Sequence, residues 1–487
     1  MQDIFTDSYN AYREFAFGHD EVTPLSQGFS DPRNGWGATI VDGMSTMHIM
    51  GLNDLFAEAL NFTQTINFRQ SNTADAVNLF ESTIRYIGGL LSAYELSGKE
   101  HQVLIEKAKE LADKLSFAWS PDLVVPFGNV NFADNTPIKQ STSIGGGTLT
   151  LEWSRLTLDA ANIDAILHQI LLNLIVSIPA ITHTADWQKT RLAISSIILL
   201  PFQARHLYSV LICALSSILG LPAQGVDPTS GNPIGGHVTW GGGSDSYFEY
   251  LIKYARLTNT DDDIFANAWR TAVDSSITTL ARMSTVGNHL YLADFDNNRQ
   301  IRHVGSHLEC FHAGNWLLGG KLTNNDTIVD IGFTGIGPDA FAYISSDGNF
   351  TGGSMPSVSQ LSFYADHGYY ITSADYIQRP EVLESNFYAW RVTGNTTFLD
   401  RAASAVESFQ KFLKTSTGYA GINNVNNEAT TKIDDTESFW FAEVLKYLYL
   451  TFDDPDHISL DDYVFNTEAH PFIAPPAKST YGSGFLR

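Results

Sequence analysis

The chain has 487 residues, of which 53 are acidic and 29 are basic, so its formal net charge is −24. Such an acidic surface repels a phosphate backbone, so we expect no nucleic-acid partner and favour a neutral ligand or a cation. Residues 1–5 lack the basic start and apolar run of a signal sequence, so no cleavable signal is predicted there.

Helical periodicity recurs along the chain and is interrupted by loops rich in glycine and proline. The β signals are short and scattered, so the pattern indicates helix pairs in a single domain, residues 1–487. In order, helices are predicted at residues 10–17, 76–98, 100–117, 162–221, from 244 onward, 261–282, 314–321, 381–391, 397–413 and 438–452.

One of these helices begins at a pair of carboxylates. In RPEVLE, residues 379–384, Pro380 suits the start of a helix, and Glu381 and Glu384 then share one face. Backbone N–H groups and the helix dipole favour the charged form there. The pair predicts a general base or a cation site; the alternative is ordinary charge at a helix N-terminus.

Other acidic residues also lie near predicted helix ends, among apolar or aromatic neighbours. Isolated buried carboxylates are costly, so they must be paired, hydrogen-bonded or linked to a metal. Successive helix pairs that each direct an acid to a shared centre would explain the pattern as a helical barrel with an acidic axis. These residues are Asp42, Glu81, Glu152, Asp245, Glu249, Glu381, Glu384, Glu443 and Glu468.

The stretch VFNTEAHP, residues 464–471, offers a hydroxyl and a carbonyl oxygen at Thr467. Both are hard ligands of the kind that Ca²⁺ selects, with water completing the shell. The alternative is a strand and turn without a metal. A zinc hydrolase built on His303 and His307 is a weak rival, because the pair lacks the glutamate of a metalloprotease helix.

Ten stretches, spread in order over almost the whole chain, resemble the class I α-1,2-mannosidases of glycoside hydrolase family 47. They are FGHDE at 17–21, VDG at 41–43, LFESTIR at 79–85, GGLLSAY at 88–94, LEW at 151–153, GGGSDSYFEYL at 241–251, HLECF at 307–311, RPE at 379–381, ESFWFAE at 437–443 and FNTEAH at 465–470.

The resemblance implies an all-α fold, an (α/α)7 barrel with a C-terminal β-hairpin plug. It also implies inverting, Ca²⁺-dependent removal of terminal α-1,2-linked mannose from high-mannose N-glycans or glycoproteins. The metal ligand falls on Thr467. We expect a monomer of the secretory pathway, in the Golgi lumen or secreted.

The catalytic positions of the family fall on Glu81, Asp245 and Glu381. Glu81 lies among apolar residues, so we expect burial to raise its pKa and make it the acid, acting through water. Glu381 is then the base, and Asp245 is the rival acid. Positions that line the sugar and metal site fall on Asp42, Arg85, Glu152, Glu249, His307, Arg379, Glu384, Phe439, Glu443 and Glu468.

Some positions depart from the family pattern. Gly243 stands where members that remove a single mannose have arginine, which predicts room for several branches, as in the fungal and Golgi-type members. Ser45 replaces a common second acid. Cys310 matches half of a family disulfide whose partner position lacks cysteine, so the bond is expected to be absent unless Cys213 substitutes. The alternative function is a glycan-binding relative without turnover, which would require loss of an acid or base.

Overall fold

The structure, a computed structural model, describes residues 1–119, 123, 125–160, 220–260, 263–334 and 356–482. The helix predicted at residues 162–221 lies almost entirely outside this part of the chain, and so does Cys213. The prediction about the disulfide therefore stays a prediction. Across the described residues, no helix combines the length and apolar character needed to cross a bilayer.

Helices make up most of the regular structure. The α-helices are Gln2–Phe15, Ala38–Ile49, Asn53–Thr63, Leu79–Glu81, Gly88–Leu96, Gln102–Leu115, Thr150–Asp159, Asp245–Thr258, Ile264–Thr279, Phe311–Leu322, Asp326–Thr334, Val358–His367, Glu381–Thr393, Thr397–Ser408 and Leu445–Phe452, with π-helical turns at Ser82–Ile87, Phe409–Leu413 and Trp440–Val444.

Among the described residues, seven helical segments form a ring in which each contacts the next and the last returns to the first. In ring order they are Ala38–Ile49, Gly88–Leu96, Thr150–Asp159, Asp245–Thr258, Phe311–Leu322, Glu381–Thr393 and the segment from Trp440 to Phe452. Most ring helices pack against the helix that follows in sequence, which lies outside the ring. The predicted all-α fold with seven inner helices is confirmed.

The strands form short antiparallel ladders between the helices. They are Glu21–Thr23 with Gly28–Ser30, Val77–Asn78 with Asn129–Asn131 and Thr136–Pro137, Thr142–Ser143 with Gly225–Val226 and Pro233–Ile234, Ala281–Met283 with Leu290–Leu292, Asp294–Phe295 with Ile301–Arg302, Lys414–Thr415 with Gly418–Tyr419, and Tyr463–Phe465 with Pro471–Ile473. The last pair is the predicted C-terminal hairpin.

The C-terminal hairpin packs against the ring helices Gly88–Leu96 and Asp245–Thr258. Close approach is possible because Gly88 and Gly89 face it without side chains. A Cβ atom on Gly88 would lie 2.6 Å from the Asn466 amide nitrogen, and one on Gly89 would lie 2.8 Å from the Val41 carbonyl oxygen. Gly88 therefore allows the hairpin to approach the ring, and Gly89 allows the neighbouring ring helix Ala38–Ile49 to approach closely.

The predicted start of the helix near residue 76 is wrong. Val77 and Asn78 pair as a strand with residues 129–130, and the helix begins only at Leu79. The Asn78 side chain accepts a hydrogen bond from the Glu81 N–H at 2.9 Å and so caps the new helix. The correction matters because Glu81 lies in the first turn, not in the middle of a helix.

Candidate active site

A cavity of about 500 Å³ is lined by residues from the N-terminal turns of several ring helices. Backbone N–H groups at these ends favour negative charge nearby. Eleven of the predicted site residues line it: Glu81, Arg85, Asp245, Glu249, Arg379, Glu381, Glu384, Phe439, Glu443, Thr467 and Glu468. The ring therefore brings residues that are far apart in sequence to one cavity.

Asp42, Glu152 and His307 were predicted to contact sugar, but they are not among the residues that line the cavity. Asp42 and Glu152 are fully buried behind it. Asp42 and His307 each contact a residue that lines the cavity, and Glu152 contacts Tyr250. Asp42 lies 3.5 Å from Arg85, Glu152 accepts a hydrogen bond from Tyr250, and His307 Nδ1 lies 2.6 Å from Glu381. The geometry fits support of the cavity better than direct sugar contact.

The pKa of Glu81 differs most from the prediction. Burial opposes its charged form, but two guanidinium groups outweigh burial and lower the pKa of Glu81 below its usual range. Arg85 Nε lies 2.8 Å and Arg33 Nε 3.4 Å from Oε2 of Glu81. The prediction that burial raises this pKa is therefore wrong. Arg33 was not predicted, because sequence analysis assigned its segment to a loop.

The environment of Asp245 shifts its pKa in the opposite direction from that of Glu81. It begins the helix Asp245–Thr258, and its carboxylate accepts a hydrogen bond from the Ser246 N–H at 2.8 Å. Burial, together with repulsion from Glu249 and Glu381, nevertheless raises the pKa of Asp245 to about 7. A carboxyl group with this pKa is substantially protonated at neutral pH and can supply a proton.

Glu381 begins the helix Glu381–Thr393, directly after Pro380, as predicted. Burial works against its charge, but the hydrogen bond to His307 and the Arg379 guanidinium outweigh burial and lower the pKa of Glu381. Arg379 Nη1 lies 3.7 Å from its Oε1. Glu381 is therefore ionised at neutral pH and can accept a proton.

Phe439 lies near two cations at the cavity. The Arg85 Cζ atom is 5.7 Å and the Arg379 Cζ atom is 5.9 Å from the centre of its ring. These distances are within the range of cation–π attraction, which helps to fix both guanidinium groups. The apolar ring also provides a surface on which the C–H face of a sugar can stack.

Thr467 lies in the turn of the C-terminal hairpin, and Asn466 holds that turn. Asn466 is fully buried, and its Oδ1 accepts hydrogen bonds from the backbone N–H groups of Glu468 and His470. Its Nδ2 donates to the Ile84 carbonyl oxygen and to Glu152. The motif FNTEAH, which contains Asn466, does not by itself indicate this structural role.

The carboxylates around the turn fit a cation. Burial, with repulsion between neighbouring acids, raises the pKa values of Glu443 and Glu468 well above their usual range and that of Glu384 to about 8. One oxygen of Glu152, Oε2, is buried without a hydrogen-bond partner among the described residues. A pocket rich in carboxyl oxygens that repel one another when ionised is an environment in which a bound Ca²⁺ would favour the charged forms.

The two histidines of the rival zinc hypothesis each contact a different partner. His303 Nδ1 lies 2.8 Å from the Tyr291 hydroxyl, whereas His307 contacts Glu381. Within the described residues, the three carboxylates close enough to share one ion are Glu21, Asp435 and Glu437, which are not the residues around Thr467.

Gly243 lines the cavity as predicted. Its backbone has a φ of +88°, a value that residues other than glycine rarely adopt. A Cβ atom there would also lie 2.9 Å from Nε2 of Gln224. The Gln224 amide donates a hydrogen bond to the Gly242 carbonyl oxygen. Glycine at this position is therefore required by the backbone and by its neighbour, and not only by the space that a ligand needs.

Comparison with known proteins agrees with this geometry. The model of the family "Glycosyl hydrolase family 47" matches residues 4–162 and 204–474. A probable mannosyl-oligosaccharide α-1,2-mannosidase 1B of Aspergillus clavatus is 34% identical, over 97% of this chain and 91% of its own length. The enzyme of the same name from Emericella nidulans is 33% identical, over 97% and 92%.

A solved structure, the α-1,2-mannosidase from Trichoderma reesei, superposes with a TM-score of 0.84 at 30% identity and covers 97% of this chain and 98% of its own. The helical ring with its carboxylate-lined cavity is that of a glycoside hydrolase. The chain belongs to glycosyl hydrolase family 47.

Proposed function

We propose that the chain is an inverting, Ca²⁺-dependent exo-α-1,2-mannosidase that trims terminal α-1,2-linked mannose from high-mannose N-glycans. It acts as a monomer, with residues 1–487 as one catalytic domain, in the secretory pathway, either in the Golgi lumen or after secretion. The relatives named above are called mannosyl-oligosaccharide α-1,2-mannosidases, which supports this linkage and sugar.

One observation carries the proposal of hydrolysis. Two carboxyl groups in one cavity have pKa values shifted in opposite directions, up to about 7 for Asp245 and downward for Glu381. Such a pair assigns an acid and a base. An inverting glycosidase leaves roughly 6.5–9.5 Å between them, so that a water molecule fits beside the sugar.

In the proposed reaction, Asp245 donates its proton to the glycosidic oxygen as the bond to the leaving sugar breaks. Glu381 accepts a proton from the water that attacks the opposite face of the ring, and the product forms as the β-anomer. His307 and Arg379 keep Glu381 charged before the step. The sequence assigned Glu81 as the acid with Asp245 as its rival, and the opposite pKa shifts of the two groups favour Asp245.

Glu81 stays ionised in this scheme. Its negative charge near the reacting carbon would stabilise the positive charge that develops in an oxocarbenium-like transition state. We propose that the other predicted residues that line the cavity bind the sugar and its hydroxyl groups. They are Arg85, Glu249, Arg379, Glu384, Phe439, Glu443 and Glu468, with Asp42, Glu152 and His307 supporting them.

Thr467 would hold Ca²⁺ through its hydroxyl and carbonyl oxygens, with the surrounding carboxylates acting through water. When bound, the ion would polarise and orient sugar hydroxyl groups and neutralise part of the local negative charge. The chain's own contribution is the turn that presents Thr467. The Tyr250 hydroxyl accepts a hydrogen bond from the Thr467 N–H at 3.2 Å, and the side chain of the preceding Asn466 accepts one from the N–H of the following Glu468.

The deciding experiment is incubation of the protein with a high-mannose N-glycan, with and without a chelator, followed by ¹H NMR of the released sugar. The expected result is β-mannose before mutarotation, and no release with chelator. Initial α-mannose would contradict inversion. Binding of the glycan without release would favour the glycan-binding alternative.

A further inference from the structure

The loop at residues 31–37 is built around one buried carboxylate. Asp20, which is fully buried, accepts hydrogen bonds from the backbone N–H groups of Arg33, Gly35, Trp36, Gly37 and Ala38, at distances between 2.7 and 3.2 Å. An ionised carboxylate is an acceptor of many bonds, so one side chain can fix the whole loop.

A second contact ties the same loop to the cavity wall. The Tyr86 hydroxyl lies 2.8 Å from the Arg33 carbonyl oxygen and 2.9 Å from Oδ1 of Asp20. Tyr86 directly follows Arg85 in the π-helical turn Ser82–Ile87. The backbones that carry the two guanidinium groups are therefore joined, and Trp36, buried against Tyr86, stiffens the junction.

This framework places Arg33 at the cavity, where both guanidinium groups approach the same oxygen, Oε2 of Glu81. Oε1 is then left for a water molecule or a sugar hydroxyl. The other charged groups that act on Glu81 include Asp42, which opposes its ionisation, and Glu468, which in turn senses Glu81. Because Asp42 and Glu468 also interact with Glu81, a single arginine would have to offset several negative charges there.

Arg33 also faces a second group of acids. Glu21, Asp435 and Glu437 have carboxylate oxygens within 4.8 Å of one another. Glu437 lines the cavity, and Arg33 is a cation that favours the charged forms of Glu21 and Asp435. Arg33 therefore interacts electrostatically with acids of this trio as well as with Glu81.

We propose that Arg33 is a positioning residue of the active site, which acts with Arg85 to hold the Glu81 carboxylate in place and in its charged form. The loop around Asp20 serves to present it. This proposal rests on the proposed function only for the use of Glu81 in the reaction.

The test compares Arg33→Met with Arg33→Lys and with Arg13→Met, a control that removes an arginine from a surface ion pair with Glu58. The fold should survive in Arg33→Met, because the bonds to Asp20 and Tyr86 come from the backbone of residue 33. ¹³C NMR of glutamate δ-carboxyls, with Glu81→Gln to assign the signal, then reports the titration of Glu81 without any need for activity.

In Arg33→Met, the titration midpoint of Glu81 is expected to rise by about one pH unit. This is the lower end of the pKa shift that one opposite charge within ~4–6 Å produces. Arg33→Lys should recover most of it, and Arg13→Met should match the wild type. An unchanged midpoint in Arg33→Met would overturn the proposal.

Kinetics provide a second readout. In Arg33→Met, the acid limb of the pH profile of kcat/KM on an α-1,2-mannobioside should move to higher pH, because Glu81 becomes protonated at higher pH. The alkaline limb should stay where it is. A shift of the alkaline limb alone would contradict a charged Glu81. If the wild type releases no mannose, the proposed function fails, and the NMR titration still decides on Arg33.

Discussion

The Nδ1 atom of His307 lies 2.6 Å from Oε2 of Glu381, although 74 residues separate them in sequence. Burial opposes the charge on Glu381, and this contact does most to lower the pKa of Glu381 against it. It makes His307 a partner of the proposed base, which the pattern HLECF alone does not indicate.

His307→Gln should therefore weaken the base. Without the imidazole, the pKa of Glu381 rises, and the carboxylate needed for the reaction is lost as pH falls through this higher value. We expect kcat to fall about tenfold or more, a part of the roughly 10²–10⁴-fold that acid–base catalysis supplies. The acid limb of the pH profile should move upward. His457→Gln, at a surface contact with Asp453, is the matched control and should change neither quantity.

The assignment of the acid can be tested with leaving groups. Asp245→Asn should lose about a hundredfold or more on a mannobioside, but much less on a dinitrophenyl α-mannoside, whose leaving group needs no proton. Glu81→Gln should impair both substrates alike. If Glu81→Gln shows the selective rescue instead, Glu81 is the acid and the assignment to Asp245 fails.

The pH dependence gives an independent check on Asp245. A raised pKa means that the protonated form is present below about 7 and is lost as pH rises through that value. Activity of the wild type should decline on the alkaline side near this pH, and Asp245→Asn should remove that decline from its residual activity. An alkaline limb that persists unchanged in the variant must belong to another group.

Removal of the Thr467 hydroxyl tests the metal site. Thr467→Val keeps the shape but loses one of the two expected ligand oxygens, so Ca²⁺ affinity measured by calorimetry should fall about tenfold or more, a loss of roughly 1.4 kcal/mol. Thr467→Ser should bind nearly as well as the wild type. Ca²⁺ should also stabilise the wild type against heat more than Mg²⁺ does, because Mg²⁺ dehydrates reluctantly. Equal affinities in all three proteins would place the metal elsewhere.

Specificity needs a different substitution from the one that the sequence suggests. Gly243→Arg would confound narrowed specificity with backbone strain at φ +88°. Gly128 also lines the cavity, and a Cβ atom there meets only Thr142 Oγ1 at an ordinary 3.4 Å. We expect Gly128→Arg to fold and to leave more mannose residues on the glycan than the wild type does. Gly128→Ala is the control, and mass spectrometry of the products provides the measurement. Identical product profiles would show that this wall does not contact the branches.

Several parts of the site were predictable because they depend on short stretches of sequence. The helix that starts at Glu381 begins where its proline indicates, and the turn with Thr467 lies in a hairpin near the end of the chain. The charge on Glu81 was not predictable, because the loop that brings Arg33 to it is set by tertiary hydrogen bonds to Asp20. Helical periodicity also could not show that Val77 pairs with a distant strand.

The strain at Gly243 was hidden for a similar reason. A glycine in a sequence indicates freedom of the backbone, but only the structure shows that a positive φ and the position of Gln224 disfavour any side chain there. Long-range packing, and not local pattern, determines which substitutions can test a specificity hypothesis.

The C-terminal hairpin also bears on biosynthesis. It supplies Thr467 and Glu468, and its strands end at Ile473, later in the chain than every ring helix. A ribosome must therefore make nearly all of the polypeptide before Thr467, the proposed metal ligand, can reach its place at the cavity. Nascent chains and fragments cut before residue 463 would contain Asp245 and Glu381 yet remain inert, so proteolytic clipping near this end would switch off hydrolysis while leaving most of the helices intact.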